Sequence, residues 1–115
     1  VQRRYANGLL NPYPKTQRSR RRVPLSARAL AAAEALPPRL DTPLVFPSAR
    51  GGYIGLDAWR TREWYPALEA AGLARRGPYA LRHTFATEAL AAGVSTFELA
   101  RLMGTSVAMI DRTYG

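Results

Sequence analysis

Residues 80–115 read ALRHTFATEALAAGVSTFELARLMGTSVAMIDRTYG. Three helices and two sharp turns are written into this stretch. Leu81, Phe85 and Ala89 recur at four-residue spacing. That predicts an amphipathic helix from about Ala80 to Ala92 with those three residues on its buried stripe. Arg82 then sits about 100° round the helix from Leu81, at the boundary of the stripe. Gly93 ends the helix, because glycine takes the left-handed backbone of a C-terminal cap without steric cost. Ser95 with Glu98 three residues on is a capping box, and opens a second helix through Met103. Gly104 stops it, and Ser106 caps a last helix through about Thr113. Val107, Ile110 and Tyr114 stand at i, i+3 and i+7, so Tyr114 continues an apolar stripe.

Upstream, Trp59, Trp64 and Leu68 are spaced for burial on a helix from about Leu56 to Ala71, which Gly72 ends. Pro66 lies inside it and predicts a bend or a split. Ser26 caps a run of Ala, Leu and Glu from Ala27 to Leu36, strong helix formers. Pro37-Pro38 stops that helix. Leu44-Val45-Phe46 is a short apolar run, and Ala49-Arg50-Gly51-Gly52 a loop. Residues 1–25 read as extended and basic. Val1–Tyr5 is expected as one strand and Arg20–Leu25 as a second, with Asn7-Gly8 as a turn signal and Lys15 near the turn of the hairpin. The expected class is α+β, mainly α-helical with a small β-hairpin.

A chain of 115 residues supports one domain. With 47% hydrophobic and 22% charged residues it is not a disordered chain. It has neither an apolar run of transmembrane length nor a signal-peptide-like N-terminus, so no membrane partner is expected. The first residue is Val, not Met, which suggests a fragment. The absence of cysteine excludes disulfides, iron–sulfur clusters and thiol chemistry, and fits a reducing compartment. One histidine without cysteine leaves zinc short of its usual ligands, so neither metal nor cofactor is expected. The net charge of +9 points to a polyanion. Of the seventeen Lys and Arg residues only Lys15 is a lysine. Only a lysine can give up a proton near neutral pH, which marks it out.

Five segments, in chain order, carry a resemblance. Ala80-Leu81-Arg82-His83-Thr84-Phe85-Ala86-Thr87 resembles the second arginine box of the tyrosine recombinases, the phage-integrase family. Leu102-Met103-Gly104-Thr105-Ser106 followed by Arg112-Thr113-Tyr114-Gly115 resembles its final box. Pro14-Lys15-Thr16 with Ser19–Leu25 looks like the hairpin that carries the family's lysine. Leu44–Pro47 and Ala70–Leu73 also sit where such integrases have similar segments. The resemblance implies the DNA breaking-rejoining catalytic core, and cleavage and rejoining of duplex DNA through a covalent 3′-phosphotyrosyl intermediate. It assigns Tyr114 as nucleophile, Arg82 as stabiliser of the phosphate and the transition state, and Lys15 as general acid. Arg18, Arg20, Arg21 and Arg22 are the expected DNA contacts.

Two positions depart from the pattern. Tyr79 stands where the family usually has His or Lys, and Thr105 where it usually has His or Trp. His83, beside Arg82, is read as structural. A Thr-Gly-x-Arg-like box before Lys15, and an N-terminal DNA-clamping domain, are not in these 115 residues. The expectation is therefore a partial catalytic domain over residues 1–115, inactive by itself, from a bacterial or phage-encoded cytoplasmic, nucleoid-associated protein that forms a tetrameric synapse on DNA. The alternatives are a catalytically inactive integrase remnant or a helix-turn-helix module. In the latter, Ala100, Gly104 and Ile110 would pack two helices about a turn, and Val107–Arg112 would read the major groove.

Overall fold

The computed structural model of the chain describes residues 4–6, 9–11, 16–17 and 20–115. Two three-residue strands, β1 (Arg4–Ala6) and β2 (Leu9–Asn11), pair antiparallel with Tyr5 opposite Leu10. From Arg20 onward there is no strand. Helices α1 (Ala27–Glu34), α2 (Leu56–Trp59), α3 (Tyr65–Ala70), α4 (Ala80–Ala91), α5 (Thr96–Met103) and α6 (Val107–Tyr114) follow, with a π-helical turn at Arg60–Trp64 between α2 and α3.

The α+β class is therefore corrected: the fold is mostly α. The expected hairpin, which paired Val1–Tyr5 with Arg20–Leu25, does not form, because residues 20–26 carry no strand. The physical reason is local. Pro24 lacks a ladder donor, and Arg21 turns its side chain onto a helix end, as described below. Lys15 and Arg18 lie outside the described residues.

The helix punctuation matches its sequence signals. Ser26 Oγ accepts from Ala29 N–H at 3.2 Å. Ser95 and Glu98 form the full capping box, and Ser106 Oγ accepts from Met109 N–H at 3.2 Å. Gly72, Gly93 and Gly104 all have positive φ, between 67° and 88°. Pro66 sits in the first turn of α3, directly after the π-helical turn at Arg60–Trp64, so the helix is split there. Trp59 and Trp64 stack at 5.8 Å between ring centroids. Trp64 Nε1 donates to Arg76 O at 2.6 Å, which ties this helix to the linker that enters α4.

The principal core is built by α4, α5 and α6. Ala86, Leu99, Ala100, Met103 and Ile110 are buried, with Ala89, Leu90, Val94, Val107 and Tyr114 packed around them. This overturns the expected stripe on α4 at Leu81 and Phe85, while Ala89 packs against the core as expected. Leu81 and Phe85 are 62% and 50% exposed, whereas Ala86 is fully buried. The small side chain of Ala86 lets α4 approach α5 closely, and the docked face is Ala86, Ala89 and Leu90, at i, i+3 and i+4. Arg82 lies four residues before Ala86 and so shares the docked face. Away from this core the packing is sparse. The Cα radius of gyration is 16.2 Å, against about 13 Å for a compact chain of this length.

Between α1 and α2 the chain is held by a polar clasp. Arg39 Nε donates to Asp41 Oδ1 at 2.9 Å, and its Nη1 donates to Ser48 O at 3.0 Å. The Arg39 hydrogen bond holds the Asp41 carboxyl below its ordinary value, and the same contact raises the Arg39 guanidinium above its own.

Candidate active site

Every helix leaves its last carbonyls without intrahelical donors. At the C-terminus of α5 each one finds a partner, and these partners assemble the site. Thr105 N–H donates to Ala100 O at 2.9 Å and Gly104 N–H to Arg101 O at 3.3 Å. This is a Schellman arrangement, with Gly104 in the left-handed conformation at φ 67°. The next two carbonyls are met by arginines from distant parts of the chain. Arg21 Nε donates to Leu102 O at 2.8 Å, and Arg82 Nη2 donates to Met103 O at 3.0 Å. Cations are favoured at this negative end of the helix dipole.

One helix terminus thus gathers the arginine run at 20–22, the α4 arginine and the α5–α6 turn that carries Thr105. Arg82 and Arg21 are half-buried, as is Thr105. Arg82 commits one of its five N–H donors to Met103 O, so most of its planar fork is available to an oxyanion.

Tyr114 is brought in by α6. Ile110, 1% exposed, docks that helix in the core, and Tyr114 follows one turn later on the same face. The phenol does not end in apolar packing. Its Oη lies 2.9 Å from His83 Nδ1, across 31 residues of chain. His83 is the neighbour of Arg82 on α4, so the partner of the nucleophile candidate and the phosphate-binding candidate occupy adjacent positions of one helix. Tyr79, at the N-terminus of α4, meets the same imidazole edge-on at 5.2 Å between centroids. Tyr79 itself is largely exposed.

Of the residues the sequence singled out, Arg82, Arg21 and Thr105 meet at the C-terminus of α5, and Tyr114 and Tyr79 meet at the His83 ring. His83, read from sequence as structural, has its ring on the Tyr114 hydroxyl. No local signal marks this, because Tyr114 reaches the ring only through the docking of α6. Lys15 and Arg18 lie outside the described residues.

A groove of about 1060 Å³ opens beside the turn. Arg20, Arg21 and Arg22 form one wall. Phe97, Arg101 and Thr105 are on the other, with Glu98 as the one carboxylate in its lining. Four guanidiniums against one carboxylate make it an anion-seeking surface. Among the described residues no cluster of His, Asp and Glu could hold a metal ion, and no helix is long and apolar enough to cross a membrane. Comparison with protein-family models, with curated proteins and with solved structures gives no match to this chain.

Proposed function

We infer that the chain belongs to an enzyme that cuts and rejoins duplex DNA through a phosphotyrosyl intermediate, in the manner of a tyrosine recombinase. The observation that carries this reading is the Tyr114 Oη to His83 Nδ1 contact at 2.9 Å, next to Arg82 on the same helix turn. Metal-free transesterification of a phosphodiester requires a nucleophilic hydroxyl, a proton acceptor and a phosphate-binding cation, and Tyr114, His83 and Arg82 supply these three groups.

In this mechanism Tyr114 Oη attacks the scissile phosphorus. Arg82 offers paired N–H donors to the non-bridging oxygens, where negative charge grows in the five-coordinate transition state. Thr105 can add a hydroxyl donor from the turn that Arg82 touches. Lys15, by the resemblance, gives a proton to the departing 5′ oxygen. The bond energy is kept in the phosphotyrosine, so rejoining needs no nucleotide cofactor. Arg20, Arg21, Arg22 and Arg101 hold the DNA backbone along the groove, with affinity that falls as salt rises. Arg18 extends that surface by resemblance. The same reading places the protein in a bacterial or phage-infected cytoplasm, acting as a tetrameric synapse on DNA.

A helix-turn-helix reading has one observation in its favour: α5 and α6 are joined by the three-residue turn Gly104-Thr105-Ser106, with Ala100 and Ile110 buried between them. The composition of α6 argues against it. A recognition helix needs polar and cationic side chains for base edges, and the first four residues of α6 are Val, Ala, Met and Ile, with Asp111, a single Arg112, Thr113 and Tyr114 after them.

The test uses a nicked DNA substrate that loses its short 5′ fragment after cleavage. The intact protein is expected to form a denaturant-resistant adduct. Tyr114→Phe should abolish the adduct while DNA affinity and its salt dependence stay unchanged. An adduct that survives Tyr114→Phe overturns the assignment.

A further inference from the structure

We propose that His83 Nδ1 is the proton acceptor for the Tyr114 hydroxyl when the phosphotyrosyl bond forms; this rests on the recombinase reading above. The contact is direct, at 2.9 Å with no intervening group. The chemistry needs it. A phenol must lose its proton to act as a nucleophile, and a neutral imidazole nitrogen has the lone pair to accept it. Cations alone favour the phenolate but give the proton nowhere to go.

The other groups at the site cannot fill this role. Arg82 is a permanent cation and has no lone pair to offer. Tyr79 is itself a phenol, and its ring contact is with His83. Thr105 is a hydroxyl of far higher pKa. His83 is the single histidine of the chain. Its ring stands between two aromatic neighbours, Tyr79 from its own helix and Tyr114 from α6, tilted at 58° to the latter. That wedge holds the imidazole in a fixed orientation, and its exposed edge can exchange the proton with solvent.

The step balances without a co-reactant. The Tyr114 O–H bond breaks and its proton passes to His83 Nδ1, while Oη forms the bond to phosphorus. The 5′ oxygen–phosphorus bond breaks, and that oxygen takes a proton from Lys15. On rejoining, the 5′ hydroxyl attacks phosphorus and returns its proton to the neutral Lys15 amine, while Tyr114 leaves and recovers its proton from the His83 imidazolium.

Two experiments test this. Because the chain has one histidine, its ring nitrogens are unambiguous in a long-range proton–nitrogen NMR spectrum. The proposal requires the Nε2–H tautomer at neutral pH with Nδ1 as acceptor, and a shift of the Nδ1 resonance in Tyr114→Phe. An Nδ1–H tautomer, which would make the phenol oxygen the acceptor, overturns it. The second experiment measures adduct formation on nicked DNA by the intact protein. His83→Ala should slow it by at least ~100-fold, the scale of a lost general base, with DNA affinity unchanged and with partial recovery on adding imidazole. His83→Asn retains a hydrogen-bond acceptor but cannot take up a proton, and should be as slow as His83→Ala. Wild-type rates in His83→Asn would leave only a positioning role and overturn proton transfer. Adduct formation undiminished in His83→Ala overturns this proposal alone, whereas no adduct from the wild-type protein overturns the recombinase reading and the proposal with it.

Discussion

Replacing Ile110 by alanine tests how the site is held. Ile110 is 1% exposed and lies between α6 and the core residues Leu99, Ala100 and Met103. The substitution removes three buried carbons. At about 0.8 kcal/mol each the lost transfer energy is roughly 2.4 kcal/mol. A residual cavity raises the total to about 3–4 kcal/mol, inside the usual range for such truncations. Against a typical domain stability of about 5–15 kcal/mol that is a large fraction. The matched control is Leu81→Ala on α4. Leu81 is 62% exposed, so the cost should stay below about 1 kcal/mol. Urea unfolding followed by circular dichroism at 222 nm gives both values. A local consequence should accompany the loss. As α6 loosens, Tyr114 should release His83, and the Nδ1 resonance should move as it does in Tyr114→Phe. If Leu81→Ala costs as much as Ile110→Ala, the core assignment fails and the four-residue stripe of α4 is the buried face after all.

Three further outcomes follow from the geometry. Arg82→Ala removes the charged donor to Met103 O and should destabilise the chain by about 1.5–3 kcal/mol, with Arg82→Lys recovering part of the stability in the same melts. Gly104→Ala forces a Cβ into the left-handed conformation at φ 67° and should cost about 1–2 kcal/mol, while Ser106→Gly, which removes a cap but no backbone strain, should cost a few tenths. The Asp41 carboxyl titrates below its ordinary 3.8 because Arg39 donates to it. Its stabilising contribution is therefore complete above that value and is lost as pH falls through the lower folded value. A carbon-13 titration should show this, and Arg39→Ala should return the midpoint toward 3.8.

The helix boundaries were legible in the sequence because their signals are local. Ser95 with Glu98, Ser106, Gly93 and Gly104 each act within one turn, and each sits in the structure where its chemistry calls for it. Pro66 marked a break for the same reason. What the sequence did not show were choices made between elements. Leu81 and Phe85 looked like the buried stripe by hydrophobicity, but the face of α4 that docks is decided by close approach, which selects Ala86. The proposed strand at Arg20–Leu25 followed from extended, proline-flanked residues. Nothing local revealed that Arg21 would serve the C-terminus of a helix 81 residues away. His83 was passed over for a related reason. Its partner, Tyr114, is brought to it only by the docking of α6 through Ile110.

The most direct measurement is the mass of the tryptic peptide that begins at Thr113 after reaction. Cleavage after Arg112 separates Tyr114 from the other five tyrosines of residues 1–115. After the intact protein is incubated with nicked DNA, denatured and digested with trypsin and nuclease, fragmentation should place a 3′-linked nucleotide remnant on the Tyr114 oxygen. The same remnant on any other residue, or a covalent adduct with Tyr114 unmodified, would contradict the account.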